Sequence, residues 1–158
     1  MKKINYLKGD ATEPKVQGNK ILCHVCNDIG GWGKGFVLAL TKKWDLPEKE
    51  YRTWMKSETP GKLGEVQFVE VAEDLKVANI IGQRGIKKIN GIPPVRYDAI
   101  EAALAKVADH AKELKASIHM PRIGCGLAGG NWENIEVIIE RQLISQEIDV
   151  YVYDFEAS

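Results

Sequence analysis

The strongest constraint on the fold is an arrangement that occurs twice: a short apolar run, a loop crowded with glycine, and an amphipathic stretch. Residues 20–26, "KILCHVC", lead through "GGWGKG" (30–35) into "FVLALTKKW" (36–44). Residues 117–121, "SIHMP", lead through "GCGLAGG" (124–130) into "NWENIEVIIERQLI" (131–144). The apolar runs have the length and composition of strands, and Phe36, Val37, Leu38, Leu40 and Trp44 suit one face of a helix. In a parallel sheet, loops joining a strand to the following helix collect at the carboxyl ends of the strands, where ligands bind. Glycine costs conformational entropy on folding, so its concentration implies a need for positive φ or for close approach to the backbone.

The rest of the chain fits the same architecture. "INYL" (4–7) reads as a first strand, followed by the turn-forming "KGDATEP". A short helix is predicted over 47–56, with Pro47 in its first turn. Val66, Phe68, Val69 and Val71, a polar "AEDL" and a second apolar run predict a hairpin. Residues 83–94, "QRGIKKINGIPP", read as a polar loop longer than most in a compact domain. Ile100, Leu104, Val107 and Ala111 mark the clearest helix, over 95–114. Asn131 suits the N-cap of the helix over 131–144, and "DVYVYDF" (149–155) closes the sheet. The expectation is one domain, residues 1–158, with an α/β fold: a three-layer α/β/α sandwich around a mixed, mostly parallel sheet of about six strands.

Composition removes several function classes. Lys and Arg number 22 against 22 Asp and Glu, so no basic excess predicts general nucleic-acid binding. No apolar run approaches a membrane span and the amino terminus has no secretory h-region, so a cytoplasmic protein without membrane contact is expected. Cys23, Cys26 and Cys125 suit no disulfide framework. Cys23 and Cys26 lie three apart on a strand, so they point to opposite faces and read as small core hydrophobes rather than a metal or redox pair. No metal or cofactor is expected.

Two glycine loops opening onto helix starts suggest two phosphates, because free N–H groups and the positive end of the helix dipole both favour anions. The spacing matches neither the dinucleotide fingerprint nor the P-loop.

Four segments carry a family resemblance: "GDAT" (9–12), "HVCNDIGGWGKGF" (24–36), "GIPPVRYDAIEAAL" (91–104) and "MPRIGCGLAGGNWENI" (120–135). Their residues and order resemble a macrodomain, the ADP-ribose-binding module. The likeness is to the small stand-alone branch that contains the terminal ADP-ribose glycohydrolase and the ADP-ribose 1''-phosphate phosphatase. That resemblance implies ADP-ribose or an ADP-ribosylated substrate as partner, with a monomer expected. By the same resemblance Asp10 accepts from the adenine amino group, with a backbone N–H near Ala11 reading the ring edge. Gly33, Lys34, Gly35 and Phe36, together with Ile123, Gly124, Cys125, Gly126, Leu127 and Ala128, wrap the diphosphate. Tyr153 lies beside the adenine, Asn27 holds the distal ribose, and His24 and Gln83 stand near the reacting centre.

The sequence departs from the glycohydrolase pattern where that enzyme uses a lysine and an aspartate. Gln83 or Arg84 stands at the lysine's place, and Ala128 follows "GCGL". Neither replacement forms a lysine-type adduct, so a covalent route is not expected. The leading expectation is hydrolysis at the distal ribose C1'' of an ADP-ribosylated protein or of ADP-ribose 1''-phosphate, with His24, Asn27 and Gln83 as catalytic candidates. A non-catalytic reader of ADP-ribose is the alternative, and a different mononucleotide-binding α/β protein the second. His24 serves as an acid or base only if it faces the cleft; in an apolar strand a histidine is more often a satisfied core residue.

Overall fold

A computed structural model describes residues 2–155. Its six-stranded sheet has the order β1-β6-β5-β2-β4-β3, comprising β1 Asn5–Lys8, β2 Lys20–Asn27, β3 Val66–Ala72, β4 Leu75–Gln83, β5 Ser117–Met120 and β6 Val150–Asp154. Every pairing is parallel except β3 with β4, the predicted hairpin. Helices α1 (Phe36–Lys43) and α2 (Leu46–Met55) cover one face, and α3 (Tyr97–Leu114) and α4 (Trp132–Gln142) the other. This is the expected three-layer α/β/α sandwich.

Side-chain alternation along β2 explains both core layers. Ile21 and Cys23 pack toward α3 and α4, while Leu22 and Cys26 pack toward α1 and α2. The two cysteines therefore lie on opposite faces, as their spacing requires. On α3, Ile100, Leu104 and Val107 are fully buried and form the stripe that fixes this helix to the sheet. Each such side chain contributes about 1.5–3 kcal/mol by leaving water. Among the described residues, no helix is long and apolar enough to cross a membrane.

The structure revises the reading of residues 83–94. Asn90 and Gly91 have φ of 52° and 76°, and Ile89 and Ile92 exchange two backbone hydrogen bonds of 3.0 Å. This is a tight two-residue hairpin turn, for which an Asn-Gly pair is the strongest sequence signal. A polar loop therefore becomes a small tongue, anchored where Gln83 bridges Val95. At its root β4 carries one extra residue opposite β2: Cys26 faces Ile81 and Asn27 faces Gln83. The bulge at Gly82 brings Asn27 and Gln83 side by side at the end of the sheet.

Candidate functional site

β2 and β5 are parallel neighbours, so the chain leaves both at the same edge, and the loops that follow them enclose a cleft. Two confluent cavities of about 260 and 560 Å3 lie there, both lined by Val25, Lys34, Val37, Gln83 and Leu127. The smaller runs between Gly35, Phe36 and residues 121–128. The larger is bounded by Asn27, Trp32, Gly33, Arg52 and Ile86. A separate groove of about 380 Å3, lined by Lys112, Lys115, Ser117 and Asp149, contains neither glycine loop.

The glycines divide into two kinds. Gly124 and Gly129 have φ of 74° and 77°, and a Cβ on Gly130 would stand 2.3 Å from the Gly124 carbonyl oxygen. Those three are needed for the loop's own path, which closes through a 2.7 Å hydrogen bond from Gly130 N–H to Gly124 O. Gly33 and Gly126 differ. Neither lies in the left-handed region, and a Cβ on either would meet no protein atom within 4 Å. The fold makes no demand for glycine at these two positions, Gly33 lining the larger cavity and Gly126 the smaller, so their bareness leaves the backbone open to approach from the cleft.

The helix starts also differ. The N-terminus of α4 is occupied by its own side chains: the Asn131 Oδ1 accepts from Glu133 N–H at 2.8 Å, and Glu133 adds a carboxylate in the first turn. The N-terminus of α1 has Gly35 as its cap residue, no side-chain cap and no acidic residue in its first turn. Of these two helix starts, α1 alone leaves its dipole uncompensated toward the cleft, whereas the sequence suggested two such starts.

Of the three predicted catalytic side chains, Asn27 and Gln83 line the larger cavity while His24 lies behind the smaller one, and each is already engaged. His24 is only 1% exposed. Its Nε2 donates to Asn79 Oδ1, whose own amide donates to Pro47 O and Gln67 Oε1. Trp32 packs edge-on against the imidazole at 5.3 Å, and Phe36 tilts against it. Burial lowers its pKa from 6.5 to about 4, so the ring is neutral near pH 7. Asn27 Oδ1 accepts from Ile29 N–H, Gly31 N–H and the Tyr51 hydroxyl, while its amide donates to Gly31 O. Gln83 donates to Gly85 O.

Asn27 thereby organises the turn that begins the first glycine loop. Asn27→Ala leaves two N–H groups without their acceptor, while the Tyr51 hydroxyl keeps the Asn27 carbonyl at 2.7 Å, for an expected loss of about 2–4 kcal/mol of stability. ADP-ribose affinity should fall alongside it. Urea unfolding and calorimetry check this, and an affinity loss at unchanged stability would instead make Asn27 a direct ligand contact.

The expected adenine residues lie at the β1–β6 end and line neither cavity. Asp10 Oδ1 accepts from the N–H and the hydroxyl of Thr12, forming a local turn, and Ala11 is buried. Tyr153 is 7% exposed, with its hydroxyl 2.8 Å from His119 Nδ1, which leaves little ring for a base to contact. The exposed aromatic at that edge is Phe155, at 74%. It directly follows Asp154, whose carbonyl accepts from Gly9 N–H and so holds it near Asp10. Sequence reading missed Phe155 because it lies just past the strand pattern. It missed Arg52 because α2 shows no relation to the glycine loops until folded. Ile123 and Ala128 are buried anchors, the latter accepting from Val95 N–H. Leu127 is exposed, and Cys125 is half-buried with its thiol pKa raised by burial. Among the described residues no group of three or more His, Cys, Asp and Glu is placed to hold a metal.

An α/β sandwich with two bare loops and an uncapped helix start at the carboxyl edge defines a binding module for a phosphate-bearing ligand. The chain belongs to the macro domain family, whose model matches residues 23–139. It is 51% identical to a macrodomain protein from Streptomyces coelicolor of known structure, covering 96% of this chain and 99% of that one with a TM-score of 0.86. It is 32% identical over 165 residues to mouse chromodomain-helicase-DNA-binding protein 1-like, covering 98% of this chain but only 18% of that relative. Over 160 residues it is 24% identical to the ADP-ribose 1''-phosphate phosphatase of Lodderomyces elongisporus, covering 96% of this chain and 99% of the relative.

Proposed function

We propose that the cleft binds the ADP-ribosyl group of a conjugate and that the protein slowly hydrolyses it at the distal ribose C1''. The diphosphate lies between the two glycine loops, the distal ribose in the larger cavity, and the adenine toward Asp10 and Phe155. The observation that carries this reading is the pair Gly33 and Gly126, bare in the two confluent cavities with no internal reason to be. The uncapped start of α1 supports it, and so does the relative named as a phosphatase of an ADP-ribose phosphate.

The protein's part in catalysis is chiefly positioning. His24 is almost fully buried and burial lowers its pKa to about 4, so its neutral ring is too weak and too enclosed a base to take the proton from water. Gln83 can orient a water through its carbonyl oxygen but cannot take its proton. Activation of the water falls to the substrate's own phosphate, which makes turnover slow; holding the ribose matters because a displacement of about 1 Å can cost on the order of a hundredfold in rate. A second reading, binding without turnover, is favoured by the burial of His24. Incubation with ADP-ribosylated protein and, separately, with ADP-ribose 1''-phosphate distinguishes the two. The proposal expects slow release of ADP-ribose or of phosphate, insensitive to chelators. Binding with no release from either substrate would select the second reading.

Asp10→Ala should weaken ADP-ribose by about tenfold to a hundredfold, the loss of one charge-assisted hydrogen bond of about 1.5–3 kcal/mol. Asp10→Asn keeps an acceptor for Thr12 but removes the charge, so it separates the adenine contact from the turn. Unchanged affinity in both variants would reduce Asp10 to a turn former.

A further inference from the structure

The tongue beyond β4 contributes only Ile86 and Lys87 to the cleft lining, yet its composition is distinctive. Residues 75–97 contain Lys76, Arg84, Lys87, Lys88 and Arg96 and no acidic residue, in a chain whose charges balance overall. Arg84, Lys87 and Lys88 are exposed, and none of them is in an ion pair among the described residues. The nearby Asp28 carboxylate accepts from Gly85 N–H at 2.8 Å. Between these cations stand Ile86, Ile89 and Ile92, exposed by 56%, 57% and 58%. The tight Asn90-Gly91 turn holds this surface in shape at little entropic cost on binding.

We infer that the tongue is a docking surface for an acidic polypeptide segment with apolar side chains, flanking the modified residue of an ADP-ribosylated protein. The inference rests on the reading that the cleft holds the ADP-ribosyl group. The attached chain must then leave by the mouth of the larger cavity, where Ile86, Lys87 and Leu127 form the rim. Unpaired cations attract carboxylates, and the exposed isoleucines bury apolar side chains. A nucleic-acid strand fits less well, because the tongue has no aromatic side chain on which a base can stack.

The test compares four ligands on the whole chain: free ADP-ribose, an acidic-apolar peptide with ADP-ribose on a hydrolysis-resistant linkage, its lysine-substituted counterpart, and an ADP-ribosylated oligonucleotide. The acidic peptide should bind about tenfold tighter than free ADP-ribose, the scale of two or three exposed ion pairs and part of one isoleucine. That gain should shrink as salt rises, and Lys88→Glu/Ile89→Ser should remove it while leaving free ADP-ribose unchanged. An acidic peptide that gains nothing over free ADP-ribose, or a lysine peptide or oligonucleotide that gains as much, overturns the docking surface and leaves the cleft assignment standing. Failure of free ADP-ribose to bind overturns both.

Discussion

Gly126→Val is expected to lower ADP-ribose affinity by about a hundredfold or more while barely moving the melting temperature, the loss of two or more charge-assisted backbone contacts. The Gly126 backbone lies outside the left-handed region and a Cβ there meets no atom within 4 Å beyond its chain neighbours, so the substitution places its first carbon without strain on the fold. A ligand at the loop's amides meets the branched side chain instead. Gly130→Ala in the same loop should behave oppositely, because its Cβ would stand 2.3 Å from a backbone oxygen and the loop must distort. Calorimetry and thermal unfolding of the pair give the contrast. A Gly126→Val protein with the parent's affinity would mean that this loop does not cradle the diphosphate.

The second large effect is on stability in mild acid. Burial lowers both His24 and His119 from 6.5 to about 4. His119 sits between Ser117 and Tyr153, each at 2.8 Å, and stacks on Tyr151. Because the folded values are depressed, the unfolded chain binds more protons between pH 6.5 and 4. The stability from neutral burial is therefore complete above pH 6.5 and is lost as pH falls toward 4. With two such protons the slope is about 2.7 kcal/mol per pH unit near the middle of the window. His110, also lowered chiefly by burial, adds in the same direction. Asp74 and Asp154, held below the usual carboxylate range by Lys20 and Arg122, lose their contribution only at lower pH. Urea unfolding between pH 7.5 and 4.5 measures the slope, and His119→Phe should about halve it. Stability that stays level from pH 7 to 5 would contradict the buried neutral histidines.

The layer order and the location of the cleft were legible because they follow from periodicity and from loops punctuated by glycine. Alternation in "KILCHVC" separates Cys23 from Cys26, and the spacing of Ile100, Leu104 and Val107 marks the face of α3. What stayed hidden depends on contacts between distant segments. Asn79 reads as one polar residue in an apolar strand, and only the folded sheet sets it against His24. Asn27 has the same character: its acceptor serves residues of its own loop and Tyr51 from α2. The roles of Gly126 and Gly130 are indistinguishable in "GCGLAGG", because the difference lies in what a Cβ would touch. The Asn-Gly turn of the tongue was visible in principle, but its flanking isoleucines are too few to show strand periodicity.

The central claim is that the two bare loops form one cleft for the ADP-ribosyl diphosphate, and titration calorimetry of the unmodified protein with ADP-ribose and AMP tests it most directly. A micromolar dissociation constant for ADP-ribose, about 8 kcal/mol, with AMP far weaker, is the predicted result. Absence of heat and of any thermal shift with ADP-ribose up to millimolar concentration would contradict it.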